Sequence, residues 1–287
     1  MKKHKKPLTN TYQTIAIVTP YWRPGENFTR QILDAIEPRL KNGDIITISE
    51  KAISTASGNI IDENSIEASS LARFLAKHWM HLIWGYVLGP ICHLRKKTIS
   101  RFRTYPVNEG GKHKQLALRQ AGFLQALMHG SEGAIDGSNL PYSYVSLPPK
   151  DAQQLATQIR QSIRNKLRKD INVMIIDTDK TYSIRNFHFT PRPNVIHGIQ
   201  SNVGIIGYVA GRFLKLKQRA TPVATSDPST NIEETLQIAD AANKARGFGA
   251  GRNVWDMAEA FDVRLTEVTW EMLERVEHKP IVIVRRT

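Results

Sequence analysis

Four apolar residues, Val173-Met174-Ile175-Ile176, run without a break into Asp177-Thr178-Asp179-Lys180. A short apolar run bounded by polar residues reads as a core strand. This one meets two carboxylates, a hydroxyl and an ammonium at its end. An ordinary loop rarely needs that mixture beside a buried strand, whereas a divalent cation and a phosphate do. A second loop has the same character: Asp136 lies in SEGAIDGSN (131–139) between Gly133 and Gly137. Mg²⁺ is usually held by one or two carboxylates plus substrate phosphates, and two such loops suit it. Plainer roles stay open, with Asp136 as a turn residue and Asp177 as a helix cap.

The rest of the chain supplies punctuation. Alternation over 14–20 predicts a strand ending at Pro20, with Pro24-Gly25 as the following turn. Helical spacing follows over 28–40 with Asn27 as its N-cap, and Asn42-Gly43-Asp44 leads into a strand over 45–49. Helices are expected over 65–80, 112–128, 151–167, 230–247 and 266–278, with a closing strand over 280–286. Gly247 suits the stop of its helix. Helices and strands alternate without a regular βα rhythm, so the fold class is α+β, not a doubly wound sheet.

Bulk properties narrow the partners. Hydrophobic residues make up 41% and charged residues 23%, which places the 287-residue chain among ordinary globular proteins. The single cysteine, Cys92, excludes an internal disulfide framework and points to a reducing, cytoplasmic setting. The basic N-terminus is not followed by an apolar segment, so no secretory signal is expected. The apolar stretch 82–94 is too short for a bilayer that needs roughly 20 residues, and Gly89-Pro90 interrupt it. A membrane role is not expected. The net charge of +14 favours an anionic partner. Nucleic acid is compatible with this charge but not favoured, because no helix-turn-helix, zinc-finger or RNA-recognition pattern is present.

Familiar nucleotide and metal motifs mostly fail. Gly111-Lys112 is followed by His113, so it is no P-loop. GFGAGR (247–252) has Arg252 where a dinucleotide fingerprint has its last glycine, and it follows a helix. It can still bring backbone N–H groups to an anion, with Arg252 beside them; a helix stop is the plainer role. His78 and His81 lack a third metal ligand and read as surface or groove residues. Cys92 reads as apolar filler.

In order along the chain, TPYWRPGEN, NGDIITISEKAISTASGNII, GAIDGSN, VMIIDTDKTY and the terminal KPIVIVRRT resemble the conserved segments of the coenzyme F-420:L-glutamate (gamma-glutamyl) ligase family. GAIDGSN and IIDT are the most specific. HGSEGAIDGSNLPYSYVSLP and ARGFGAGRNVWDMA resemble a subgroup found in archaea. The resemblance implies a two-lobed, family-specific α+β fold with mixed and antiparallel sheets. It also implies an intertwined homodimer, with residues 1–287 as one unit and 1–13 as a basic flexible tail. It implies GTP as co-substrate, Mn²⁺ or Mg²⁺, help from K⁺, L-glutamate, and an anionic phosphorylated acceptor. An acyl phosphate would be the activated intermediate.

Carried over by position, Asp136 and Asp177 are metal ligands and catalytic, with Thr178 beside them on the metal. Asn139 is a GTP contact, and Thr19, Pro20, Tyr21 and Trp22 form the first nucleotide loop. Glu50 and Thr55 stand where the family has a nucleotide-contacting Ser and Lys, and Lys51 is the substitute cation for Thr55. Lys180-Thr181 replaces a family Gly-Arg. Lys180, Arg185, Arg192 or Arg252 would hold substrate anions. These departures keep two alternatives open: a ligase of the same fold for another anionic carboxylate, and a non-catalytic polyanion- or RNA-binding protein.

Overall fold

The computed structural model describes residues 12–287; the basic run at 2–6 and most of the expected tail lie outside the described residues. Among the described residues eight strands form: β1 (Tyr12–Thr19), β2 (Ile45–Ser49), β3 (Ile60–Asp62), β4 (Tyr144–Ser146), β5 (Asn172–Ile184), β6 (Phe187–Phe189), β7 (Lys217–Thr225) and β8 (His278–Arg286). Six of them make one sheet in the order β1-β8-β2-β5-β6, with β7 also on β5. β2 and β5 run parallel, and the other pairs in this sheet are antiparallel. β3 and β4 form a separate two-stranded ribbon. The class is α+β with a mixed sheet.

The period of 2 along a strand explains why 173–176 is apolar throughout. Val173 and Ile175 pack with Ile46, Ile48 and Ile283 against the helices Phe28–Ile36 and Ala152–Leu167. Met174 and Ile176 face the opposite way, onto the helix Ile232–Arg246. A sheet buried on both faces needs such strands. Each fully buried Ile contributes about 1.5–3 kcal/mol. Asn27 caps its helix as expected, accepting from Arg30 N at 3.0 Å; Asn231 accepts from Glu233 N at 2.8 Å, and Asp151, expected inside its helix, instead caps it by accepting from Gln154 N at 2.8 Å.

A third core is helical, around Leu75, Met80, Trp84, Phe102, Leu116, Met128 and Ile205. Here the structure departs from the expected elements. The helix expected over 65–80 begins at Ser70 and widens into a π-helix over Leu75–Leu88. Gly89-Pro90 does not interrupt it, because the turn continues to Ile91. Gly89 N–H reaches Trp84 O, and a Cβ at Gly89 would lie 2.5 Å from that oxygen. Glycine is therefore required there, and Pro90 follows without blocking the turn. The helix expected over 112–128 is two pieces, Val107–Gln120 and Phe123–Ala126, broken at Gly122 (φ +88°). The expected 266–278 helix shrinks to Trp270–Glu274, capped by Thr269.

The departure that matters most is in β5. The strand does not end at Asp177 but runs on to Ile184. Asp177 pairs with Thr221, yet the next partner of Ala220 is Lys180. Thr178 and Asp179 are thus extra residues on β5. Such a bulge bends a strand and re-aims its side chains. The charged residues sit on a kink inside the sheet rather than at a strand's mouth, and Asp177 caps no helix.

Candidate functional site

The bulge opens into a cleft of about 860 Å³, a volume typical of small-molecule sites. Asp136, Asp177, Thr178, Asp179 and Lys180 all line it. Two cations hold the first two aspartates. Lys51, in the helix Glu50–Ala56, pairs with Asp136 Oδ2. Arg192 donates to Asp177 Oδ2 at 2.6 Å.

Arg192 has no exposed surface, and its guanidinium also forks onto Glu50, at 2.6 and 2.8 Å. A bidentate guanidinium–carboxylate pair is strong and directional. Arg192 therefore borders the cleft as a strut between Glu50 and Asp177, with its guanidinium nitrogens engaged by these carboxylates and by Pro193 O. Arg185 occupies the turn between β5 and β6, away from the cleft lining. Glu50 is 4% exposed with both oxygens engaged by Arg192.

The site holds surplus negative charge. Burial alone would raise the Asp177 carboxyl, but Arg192 and then Lys51 outweigh it and hold it below its ordinary range. Burial, reinforced by Asp177, pushes Asp179 well above the usual carboxylate range. Burial also raises Glu50 despite Arg192, and lowers Lys180 despite Asp240 and Asp179. A cation would relieve Asp179. Among the described residues no three His, Cys, Asp or Glu side chains form a metal-binding group. An ion would take two carboxylates here and complete its shell with ligand oxygens, as Mg²⁺ does. Asp136, Asp177 and the Thr178 hydroxyl fit that donor set.

The remaining expected contacts divide. Tyr21, Trp22, Thr55 and Asn139 line the cleft, whereas Thr19 and Pro20 do not. Trp22 is 1% exposed in the core, and Thr55 donates to Lys51 O at 2.9 Å within its own helix. Tyr21 donates to Asn139 O. The Asn139 side chain is fully engaged: Nδ2 donates to Phe248 O (3.1 Å) and Gly251 O (3.0 Å), and Oδ1 accepts from Ala250 N (2.7 Å). It docks the Gly-rich loop onto the Asp136 loop. Arg252 lies on the rim, 4.3 Å over the Phe248 ring.

Sequence reasoning gave no role to several cleft residues. Arg246 ends the Ile232–Arg246 helix, lines the cleft, and keeps a buried Nε without a partner. A separate cluster joins residues far apart in the chain. His113 lies between Glu63 (Nδ1 to Oε1, 2.6 Å) and Glu132 (Nε2 to Oε2, 3.1 Å). Lys114 Nζ reaches Glu132 Oε1 at 2.7 Å and also donates to Met128 O. Only the position of Glu132, four residues before Asp136, offered a signal.

The family model described as F420-0:Gamma-glutamyl ligase matches residues 16–247, and the chain belongs to that family. Its relatives include an uncharacterized protein of Methanocaldococcus jannaschii, 34% identical over 281 residues, covering 94% of both chains. The coenzyme F420:L-glutamate ligase of the same organism is 28% identical over 267 residues, covering 84% of this chain and 92% of that one. The coenzyme F420:L-glutamate ligase of Methanopyrus kandleri is 26% identical over 160 residues, covering 54% of this chain and 55% of that one.

Proposed function

We propose that the protein is a GTP- and divalent-metal-dependent ligase. It joins the amine of L-glutamate to a carboxylate of an anionic, phosphorylated acceptor of the coenzyme F-420 precursor type. Family membership supports the ligase class. The observation that carries the rest is the convergence of Asp136, Asp177 and Thr178 with Lys180 and Arg246 on one cleft.

The chemistry needs that combination. A carboxylate is a poor electrophile. Transfer of the GTP γ-phosphoryl group onto it gives an acyl phosphate and releases GDP; the glutamate amine attacks the acyl carbon, the C–O bond to phosphate breaks, and the amine proton passes to the departing phosphate. The protein's part is positioning and charge compensation. Asp136, Asp177 and Thr178 would hold Mn²⁺ or Mg²⁺, which when bound neutralises phosphate oxygens. Arg192 and Glu50 fix the direction of Asp177. Lys180, Arg246 and Arg252 supply positive charge for the acceptor and the phosphates. Asn139 and Tyr21 hold the loop carrying Asp136 against the Gly-rich loop.

Assembly as a homodimer in the cytoplasm completes the proposal. One helical face exposes Phe74 (55%), Leu82 (53%) and Tyr86 (59%), an apolar stripe suited to a second copy. Among the described residues no helix is long and apolar enough to cross a membrane.

A second reading keeps the chemistry and changes the acceptor. In M. jannaschii, the uncharacterized relative at 34% identity coexists with a relative at 28% named as the ligase. Residues beyond the family match, such as Trp255 and Lys279, also wall the cleft. RNA binding through the +14 charge is the reading from another class; it would weaken steeply with salt and survive loss of Asp136.

Calorimetric titration with GTP and with ATP, each with and without Mn²⁺, tests the proposal. Metal-dependent GTP binding that disappears in Asp177→Ala is the expected result. Absence of nucleotide binding under every metal condition would overturn it.

A further inference from the structure

The net charge of +14 is not spread evenly. Segments 37–44 and 164–171 lie side by side. Gly43 N donates to Asp170 O (2.8 Å), Asp170 N to Asn42 Oδ1 (3.0 Å) and Asn172 N to Asp44 O (3.1 Å). Together the two segments carry six cations, Arg39, Lys41, Arg164, Lys166, Arg168 and Lys169, against three acids. Two of the acids are engaged from outside: Asp44 by Arg285 at 2.7 Å and Asp170 by Arg160 at 3.4 Å. Glu37 is the third. Among the described residues none of the six cations forms an ion pair. Five are exposed, and Lys169 is half-buried.

This patch is at the other end of the sheet from the cleft. β2 and β5 start beside it, at Ile45 and Asn172, and run parallel toward Ser49 and Asp177, which line the cleft. Five residues of strand separate the two ends by about 17 Å. None of the six cations lines the cleft. β1 begins at the same end as the patch, because Tyr12 pairs with Arg286, and Val284 pairs with Ile45. The Lys-rich run at 2–6 therefore joins the fold here, with at most about 22 Å of chain between Lys6 and Tyr12.

Local structure does not use up this charge. Arg164 and Lys166 occupy the last turn of the helix Ala152–Leu167, but the carbonyl end of a helix carries only about half a negative charge. The composition of the surface selects its partner. No large apolar side chain of either segment is exposed, so nothing is offered to the interior of a lipid layer. Neither segment contains an aromatic residue on which the bases of a single strand could stack. Ammonium and guanidinium groups are left, and these meet the closely spaced phosphates of a double helix.

We propose that this end of the sheet docks the phosphate backbone of a nucleic-acid duplex, without reading its sequence. The surface is additional to the cleft and shares no residue with it. It stands or falls independently of the ligase reading.

The test is fluorescence anisotropy of the full chain with labelled RNA and DNA duplexes of about 20 base pairs, from about 50 to about 200 mM NaCl. The logarithm of the affinity should fall against that of salt with a slope of about −4 to −5. The variant Arg164→Gln/Lys166→Gln/Arg168→Gln/Lys169→Gln should lose at least about tenfold at the lowest salt, and its slope should shrink by about 3 to 4. A control, Arg73→Gln/Lys77→Gln/Arg119→Gln/Lys150→Gln, removes the same net charge from exposed positions elsewhere. It should change affinity by less than about threefold. Where the first variant does not fold, Arg39→Gln/Lys41→Gln reads the same patch, with a slope loss of about 2. Asp177→Ala should bind duplexes like the parent, so failure of nucleotide binding and failure of this surface are separate results. Comparable binding of both duplexes supports readout of the shared backbone, and a preference of more than about tenfold for one names the source. Equal losses in the two quadruple variants would reduce the effect to net charge and overturn the proposal. So would binding to phosphatidylserine vesicles with no binding to either duplex.

Discussion

Two buried charge clusters face the same cleft, and they differ in balance. Around His113 the charges close on themselves: two carboxylates, Glu63 and Glu132, meet two cations, His113 and Lys114. Although burial opposes both charges, the neighbouring carboxylates hold His113 charged well above its ordinary range. Lys114 and His113 likewise keep Glu132 ionised far below its own. Around the β5 bulge, Asp136 pairs with Lys51, Glu50 and Asp177 share Arg192, and Asp179 forms no ion pair among the described residues. Asp179 carries the imbalance. Breaking a balanced buried cluster is costly because it strands a charge, while an unbalanced one in a cleft marks a candidate ligand site.

The largest expected effect comes from opening the closed cluster. Glu132→Ala leaves Lys114, with no exposed side-chain surface, without a counter-charge. Removing one partner of a buried pair costs about 3–5 kcal/mol. Urea denaturation should show this as a lower midpoint, while metal-dependent GTP binding per folded molecule stays the same. A loss below about 1 kcal/mol would mean that the His113 cluster is no more structural than a surface pair.

Arg192→Met should cost about 3 kcal/mol, since it strands Glu50 and Asp177. The comparison predicts a difference in rescue. Mn²⁺ should restore part of the melting temperature of Arg192→Met, because Asp177 faces the cleft, and none of that of Glu132→Ala. Equal rescue of both variants would erase the distinction.

Acid should act on a third pair of groups. Burial lowers both His129, among Trp84, Phe102 and Tyr208, and His278, beside Pro20 O, to about 4. Both are neutral in the fold, while the unfolded chain takes up protons near about 6.5. Their stabilisation is complete above that pH and is lost as pH falls from about 6.5 to about 4. His113 has the opposite sign, being held charged, and its contribution disappears only as pH rises through its raised folded value. Urea midpoints should therefore decline through the upper part of the acid range, and His129→Phe should flatten the decline. An unchanged slope would place the acid sensitivity in the carboxylates.

How far the sequence foretold this site depends on the distance between partners. Local signals were legible: the cap at Asn27, the apolar run 173–176, and the Gly-flanked Asp136. All depend on neighbours a few residues apart. The bulge in β5 was not legible, because Thr178 and Asp179 are extra only relative to β7, about forty residues on. Glu50 and Arg192 meet across 142 positions, so neither residue announced that it would neutralise the other. The π-helix escaped because the apolar residues of 75–88 suit an ordinary helix about as well. The sequence offers Lys51 as a substitute for the missing charge at Thr55, and in the structure its ammonium meets the Asp136 loop.

The smallest expected effect concerns Asn139, which links the unbalanced cluster to the Gly-rich loop. Its three side-chain hydrogen bonds to Phe248, Ala250 and Gly251 are partly solvent-exposed. Asn139 also adopts φ +56°, a left-handed conformation that asparagine tolerates better than alanine. Asn139→Ala should therefore cost about 1–2 kcal/mol in total, whereas Asn139→Gly removes the bonds without the backbone strain. If docking of the loop is what prepares the cleft, both variants should lose GTP affinity to a similar degree while Gly keeps more stability than Ala. If only the strained backbone matters, Gly should bind GTP like the parent protein. The pair thus separates a contact that orders an anion-binding loop from one that merely fits a turn.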